Sequence, residues 1–228
     1  MTLGSGSFYI VIILVMVISW VIQSMLKSRF AKYSKIPVSK TGAEVAQAML
    51  SSNGIRDVKI VSIDGTLTDH YNPETKTVNL SHDVYYGNTV AAAAVAAHEC
   101  GHVLQHQKGY APLRMRSALV PVVSFANNTV QWVILLGILL INIFPALFWI
   151  GIAMFAMTTL FSLVTLPVEV NASSRAVNWL EESGIVNYDT KPMAVDALKW
   201  AAYTYVIAAI GSIATLLYYL SIGSSRRN

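Results

Sequence analysis

Charged residues are scarce in this chain. Only 12% of its 228 residues are charged, whereas 54% are hydrophobic, and the mean hydropathy is +0.52. This composition excludes an ordinary soluble domain, because the surplus of apolar side chains needs lipid as its solvent. The sequence also lacks a basic run interleaved with aromatic residues, which argues against a nucleic-acid partner.

Cysteine is almost absent as well, since Cys100 is the only one in the sequence. No intrachain disulfide can form, and nothing indicates an oxidising compartment. Cys100 lies between two histidines of a metal-binding pattern, where we expect a small packed residue. A redox-sensitive thiol is the alternative.

Long apolar runs are what the sequence has in excess. The first run, residues 8–26, carries no charge and as a helix would be about 28 Å long, enough to cross the hydrocarbon core of a bilayer. A cleaved signal peptide is the alternative. No basic residue precedes the run, and four follow it, which favours an uncleaved anchor. These four are Lys27, Arg29, Lys32 and Lys35.

A second apolar stretch, residues 119–166, is too long for one span. Asn142 and Pro145 divide it, so we expect two helices joined by a tight turn. Polar residues and a proline in the first of these helices predict a face turned toward protein or a cavity. They are Pro121, Asn127, Asn128 and Gln131. A last run, residues 201–222, makes four spans.

The polar stretch after the first span has the pattern of a small α+β unit. Residues 41–44 have the spacing of a capping box, which predicts a short helix. Residues 58–63 and 77–80 alternate apolar and polar side chains and predict a small β-meander, with 77–80 as a candidate edge strand for extended substrate. Asn88 is expected to cap a helix over residues 90–107.

The chemistry of the chain is concentrated on that predicted helix, in the sequence His98-Glu99-Cys100-Gly101-His102. Histidines four residues apart lie on one helix face, so both can bind one ion. Glu99 lies about a quarter turn away, where its carboxylate can reach a water activated by the metal. Zinc-dependent hydrolysis needs both roles, ligands that hold the ion and a carboxylate that accepts the proton of the water. The alternative is two surface histidines without a metal.

A catalytic zinc site needs a third protein ligand. His106 follows on the same stripe, but it lies about 12 Å along the axis from His98. Lys108 stands where an extended motif would have its third histidine. Glu169, just after the third span, is the better candidate, because a carboxylate so near lipid is costly unless it is paired or metal-bound. From spacing alone, an interfacial ion pair of Glu169 with Arg175 stays open.

Two segments, residues 98–105 (HECGHVLQ) and 166–176 (LPVEVNASSRA), resemble the neutral zinc metallopeptidase family of bacterial membrane proteins, the YugP type. They resemble, more distantly, the HtpX and CAAX-protease group of membrane gluzincins. The resemblance covers most of the chain and implies that Glu169 is the third ligand. In the distant group this Glu opens an E-x-x-x-D pattern. Ser173 stands at the position of the Asp, so an orienting carboxylate is not carried over.

Other polar residues are weaker candidates for contacts with substrate or transition state. Arg175 could orient substrate or stabilise an oxyanion, or form a salt bridge at the membrane surface. Tyr110, His70 and His82 could donate a hydrogen bond to a tetrahedral intermediate. In most proteins each of these residue types is structural instead.

The sequence therefore predicts a mainly α polytopic membrane protein with about four transmembrane helices and a small α+β zincin-like metallopeptidase unit. Its segments are an anchor (1–26), a zincin-like segment with the HExxH helix (27–117), a transmembrane hairpin (118–166), a second polar segment with the third ligand (167–200), and a C-terminal helix with its tail (201–228). The hairpin returns the chain to one face, so the two polar segments meet there. All Lys and Arg except Arg226 and Arg227 lie in them, which predicts that this face is cytoplasmic. Arg226 and Arg227 would then lie outside unless the last helix is interfacial or re-entrant. The family resemblance implies a bacterial cell membrane.

We expect an integral-membrane endopeptidase that uses one Zn²⁺ to hydrolyse peptide bonds of membrane-associated proteins or peptides. Its expected partners are these substrates, the lipid bilayer and other membrane proteins. The alternative is a catalytically silent, zinc-stabilised adaptor that binds membrane proteins. A structural zinc site normally has four protein ligands and would not need Glu99, so Glu99 favours the enzyme.

Overall fold

The computed structural model describes residues 5–225, and Arg226 and Arg227 lie outside the described residues. The fold is mainly α with one small sheet, as the composition and patterns predicted. The elements are α1 (Ser5–Tyr33), α2 (Gly42–Ser52), β1 (Lys59–Ile63), β2 (His70–Asn72), β3 (Thr77–Ser81), α3 (His82–Tyr86), α4 (Val90–Gln107), α5 (Ala111–Leu139), α6 (Pro145–Glu182) and α7 (Lys191–Ser225).

Four helices in the described range, α1, α5, α6 and α7, are long and apolar enough to cross a membrane. This agrees with the four spans expected from the sequence. Helix α6 has 38 residues, which is about 57 Å of helix and far more than the roughly 30 Å of a hydrocarbon core. Part of α6 therefore extends beyond the lipid, and Glu169 lies in its C-terminal half.

The chain divides into two compact units. The helical unit contains residues up to 21, residues 114–166 and residues from 204 onward. The polar unit contains residues 22–113 and 167–203. Each of α1, α5, α6 and α7 contributes residues to both units.

Within the helical unit, α5 and α6 form the predicted hairpin. Gly137 faces Phe148 so closely that an added Cβ would lie 2.6 Å from the Cα of Phe148, which allows close packing of the two helices. Val130 and Ile134 join Phe148 and Ile152 in a small buried cluster. The polar face predicted on α5 is not turned inward in the described chain, because Pro121, Asn127, Asn128 and Gln131 are all exposed.

The small sheet differs from the predicted meander. Its strand order is β1-β3-β2, with β1 parallel and β2 antiparallel to β3. β3 is therefore the central strand, and the expectation that residues 77–80 form an edge was wrong. Val78 and Leu80 are fully buried, which suits a central strand that packs on the core. The edges of the described sheet are β1 and β2, and β2 has only three residues, too few to give an alternating pattern.

Helix α4 is the centre of the polar unit. Its alanines are almost all fully buried and pack with Val45 and Met49 of α2 in the main core. The predicted capping box at α2 is present, with Thr41 and Glu44 bonding reciprocally. The cap of α4 is Thr89 rather than Asn88, because Thr89 has the extended backbone of an N-cap and its hydroxyl accepts from the N–H of Ala92.

Candidate metal centre

Helices α4 and α6 approach each other closely at Gly101, between the two histidines of α4. An added Cβ at this position would lie 2.7 Å from the carbonyl oxygen of Ala172. Ala172 is fully buried. Only glycine fits this approach without a shift of the backbone, and the approach brings the histidines of α4 next to the turn of α6 that carries Glu169.

Three potential ligand atoms converge there. Nε2 of His98 lies 3.2 Å and Nε2 of His102 lies 3.7 Å from Oε2 of Glu169, and all three ligand groups lie within 4.8 Å of one another. Ligands at the usual zinc bond lengths in a tetrahedron are roughly 3.3–3.5 Å apart. Two imidazoles and one carboxylate are a donor set that catalytic zinc sites use. The arrangement therefore fits a zinc ion.

The outer nitrogen of each imidazole has its own partner. Nδ1 of His98 lies 3.1 Å from the hydroxyl of Ser173, and Nδ1 of His102 lies 3.0 Å from Oε1 of Gln105. When each Nδ1–H donates a hydrogen bond to its partner, the lone pair of each Nε2 faces Glu169. Such outer hydrogen bonds orient metal-binding histidines and fix their tautomer.

Both carboxylates near the histidines are buried, with Glu169 3% and Glu99 7% exposed. Burial by itself lowers the pKa of His102, but its hydrogen bond with Glu169 and the negative charges of Glu99 and Glu169 raise that pKa above the ordinary value. The same negative field that stabilises an imidazolium would stabilise a metal cation. The cluster is thus electrostatically suited to a divalent ion.

Glu99 differs from Glu169 in its contacts. It follows His98 directly on α4 but is not one of the three clustered ligand groups. Among the described residues its carboxylate accepts no hydrogen bond, so its oxygens can accept one from water. This is the arrangement expected for a general base beside a metal.

Arg175 contacts Asn171, which lies one turn before it on α6. Its Nε–H donates to Oδ1 of Asn171 at 2.8 Å. The interfacial Glu169–Arg175 pair that spacing left open gains no support from this contact. Arg175 takes part in the site through Asn171 instead.

The remaining histidines and Tyr110 lie outside the cluster. Nδ1 of His106 is 2.9 Å from the hydroxyl of Tyr71 on β2, and Nδ1 of His70 is 2.8 Å from the carbonyl of Thr68. His82 is exposed at the start of α3 and lies 3.9 Å from Asp83. Tyr110 follows α4, and its backbone N–H donates to the carbonyl of Gln105.

Cys100 is a packed thiol, as the sequence suggested. It is fully buried, and its sulfur donates to the carbonyl of Ala46 at 3.7 Å. Burial raises the pKa of the thiol well above its usual range, which disfavours the reactive thiolate. A redox-sensitive role gains no support.

Sequence reasoning missed Gln105 and Asn171, and it discounted Ser173 because a carboxylate was expected at that position. The spacing along each helix did contain a signal for Gln105 and Ser173. Gln105 lies three residues after His102, and Ser173 lies four after Glu169, so each shares a helix face with a ligand. What the sequence could not supply was the pairing of the faces of α4 and α6.

Comparisons with known proteins identify the family of this chain. The family model described as "Putative neutral zinc metallopeptidase" matches residues 8–224. A protein of Bacillus subtilis (strain 168), "Putative membrane protease YugP", is 43% identical over 202 residues, which cover 88% of this chain and 89% of that protein. No solved structure matches the chain. Because both matches cover most of the chain, it belongs to the family described as putative neutral zinc metallopeptidases.

Proposed function

We propose that this protein is an integral-membrane, zinc-dependent endopeptidase that hydrolyses peptide bonds of membrane-associated proteins or peptides. The observation that carries the proposal is the convergence of His98, His102 and Glu169 beside Glu99, whose carboxylate has no protein partner in the described chain. Three protein ligands leave a tetrahedral zinc with a position for water, whereas a structural site normally uses four. The gluzincin-like donor set is part of this proposal.

In the proposed mechanism, His98, His102 and Glu169 hold the ion. When bound, Zn²⁺ lowers the pKa of a water molecule and polarises the scissile carbonyl. Glu99 accepts the proton of the attacking water and later donates it to the leaving amine. Ser173 keeps the imidazole of His98 in orientation while the charge of the site changes.

Chain connectivity supports a site close to the headgroup layer. Glu169 belongs to the same helix as the third apolar run, which ends only a few residues before it. On the other side, α4 ends at Gln107 and the candidate span α5 begins at Ala111. Both ligand-bearing helices therefore connect almost directly to spans, which would favour substrates held at the membrane surface.

We also propose that the polar unit faces the cytoplasm of a bacterial cell. The support is the distribution of positive residues, since those in the described chain all lie in the two polar segments of the sequence. Cytoplasmic loops carry an excess of Lys and Arg. Other membrane proteins and the bilayer itself are the expected partners.

The test is a Glu99→Gln variant compared with a His106→Ala variant. The amide cannot accept the proton of the attacking water, so Glu99→Gln should retain bound zinc and lose hydrolysis by a factor of about 10² or more. His106 lies on the same helix outside the cluster, so His106→Ala should retain both zinc and activity. If Glu99→Gln leaves turnover unchanged, the proposed mechanism fails.

The Glu99→Gln variant can also be used in cells to find substrates. Membrane proteomes of cells with wild type and with Glu99→Gln should differ in the proteins that the enzyme cleaves. Bound zinc with no cleavage of any membrane protein, and no difference between the two proteomes, would favour the non-proteolytic adaptor.

A further inference from the structure

We propose that Gln105 is a positioning residue of the metal centre. It holds His102 in the tautomer that binds metal, and it fixes the distance between His102 and Glu169. This inference rests on the proposed zinc site and adds to it a residue outside the ligand set.

The first observation is that every hydrogen-bonding group of the Gln105 side chain is used within the protein. The residue is fully buried. Its Oε1 lies 3.0 Å from Nδ1 of His102, and its Nε2 donates to the carbonyl of Val168 at 2.8 Å and to Oδ1 of Asn171 at 3.1 Å. A buried amide is costly unless it is satisfied in this way.

The partners decide which way the amide points. A guanidinium can only donate, so Arg175 requires the Asn171 atom 2.8 Å away to be an oxygen. That oxygen and the carbonyl oxygen of Val168 can only accept, so the Gln105 atom facing them is the NH₂ group. The carbonyl oxygen of Gln105 must then face His102.

The tautomer of His102 follows from the same chain of contacts. Because Oε1 of Gln105 can only accept, Nδ1 of His102 must carry a proton. In neutral imidazole, Nε2 is then the unprotonated nitrogen, and Nε2 is the atom that lies 3.7 Å from Oε2 of Glu169. The chain of contacts that begins at Arg175 thus presents a lone pair at the proposed metal position.

Gln105 also links the two ligand-bearing helices. It lies on α4 one turn after His102, and Val168 is the residue directly before Glu169 on α6. One side chain therefore contacts one ligand and the backbone next to another. Ser173, the partner of His98, lies on α6 and offers a single hydroxyl, so Gln105 should affect the site more strongly.

The first experiment measures the zinc Kd of the full chain in detergent by competition with a chelator. Wild type should bind zinc and His102→Ala should not, which tests the proposed site separately from Gln105. Gln105→Met has a similar volume without hydrogen bonds and should bind zinc 10- to 100-fold more weakly, as loss of an outer partner typically does. Gln47→Met, the same change at an exposed position of α2, should bind as wild type does.

A conservative variant separates positioning from support of the fold. Gln105→Glu retains an acceptor for Nδ1 of His102 but loses the two donors to α6. Its zinc affinity should lie between those of wild type and Gln105→Met. Zinc binding by folded Gln105→Met with the wild-type Kd would overturn the proposal, and so would binding by folded Gln105→Glu that is no tighter than binding by Gln105→Met. Zinc binding by the wild type would leave the proposed site standing in either case.

A measurement on the wild type covers the case in which both variants fail to fold. Nitrogen-15 NMR of histidine-labelled, zinc-bound protein reports which ring nitrogen carries the proton. The proposal expects a proton on Nδ1 of His102, with metal on Nε2. A proton on Nε2, or metal on Nδ1, would overturn it.

Discussion

The hydroxyl of Ser173 lies 3.1 Å from Nδ1 of His98. The resemblance to membrane gluzincins implied an aspartate at this position, so no orienting partner was predicted for a serine here. A hydroxyl is also an acceptor, and it reaches the same nitrogen without adding charge. Both histidines of this centre thus have neutral outer partners, a hydroxyl and an amide.

Substitution of Ser173 tests that relationship. Ser173→Ala removes the acceptor for His98 and should weaken zinc binding about 10-fold, at the lower end of the usual effect of an outer partner. Ser173→Asp supplies a carboxylate in place of the hydroxyl and should bind zinc at least as tightly as wild type. Chelator competition measures both. Equal zinc affinity of Ser173→Ala and wild type would mean that Ser173 does not orient the ligand.

The close approach at Gly101 gives a second prediction. Gly101→Ala should destabilise the protein by about 1–3 kcal/mol, because its Cβ would meet backbone of α6 rather than a movable side chain. The same displacement should separate the ligands of α4 from Glu169 and reduce bound zinc. Thermal unfolding and metal analysis report the two effects. Gly6→Ala, where nothing lies within 4 Å, is the control, and an equally small effect at both sites would contradict the packing argument.

The sequence predicted the parts of the centre that depend on local spacing. His98, Glu99 and His102 lie on one helix, so a period of 3.6 residues suffices to group them. Glu169 was found because a carboxylate next to an apolar run is costly. Gln105 and Asn171 could not be assigned in this way, because their partners lie on another helix and depend on the packing of α4 against α6.

Two other differences between the predictions from sequence and the structure, in the sheet and at the N-cap of α4, also have physical reasons. The meander was wrong because alternation in residues 58–63 and 77–80 indicates strands but not which strands pair, and β1 pairs in parallel with β3. Asn88 and Thr89 both suit an N-cap by composition. The backbone carbonyl of Asn88 instead accepts from Val38, and Thr89 takes the capping role.

Topology gives a third prediction. Single cysteines placed near Lys35 and near Arg175 should both be protected from a membrane-impermeant thiol reagent in intact cells, while one at Asn142 should be labelled. A Cys100→Ala background removes the native thiol. Labelling at both Lys35 and Arg175 would reverse the proposed orientation, and labelling at only one of them would contradict a site built from both polar segments.

The proposed position of the site at the membrane surface predicts a preference for tethered substrates. A peptide fused beside a transmembrane helix should be cleaved in proteoliposomes with a higher kcat/KM than the same peptide in solution, because tethering raises its effective concentration at the site. The preference should shrink in detergent, where the tether no longer confines the substrate to the same bilayer. Equal kcat/KM for both substrates in proteoliposomes would indicate a peptidase that is merely anchored.

We expect His98, His102 and Glu169 together to hold one zinc ion, and metal analysis of purified protein measures this. Wild type should contain one zinc per chain, and Glu169→Ala should lose most of it while remaining folded. Glu182→Ala, which removes an exposed carboxylate at the end of the same helix, should retain the wild-type content. Full zinc occupancy in Glu169→Ala would show that Glu169 is not the third ligand.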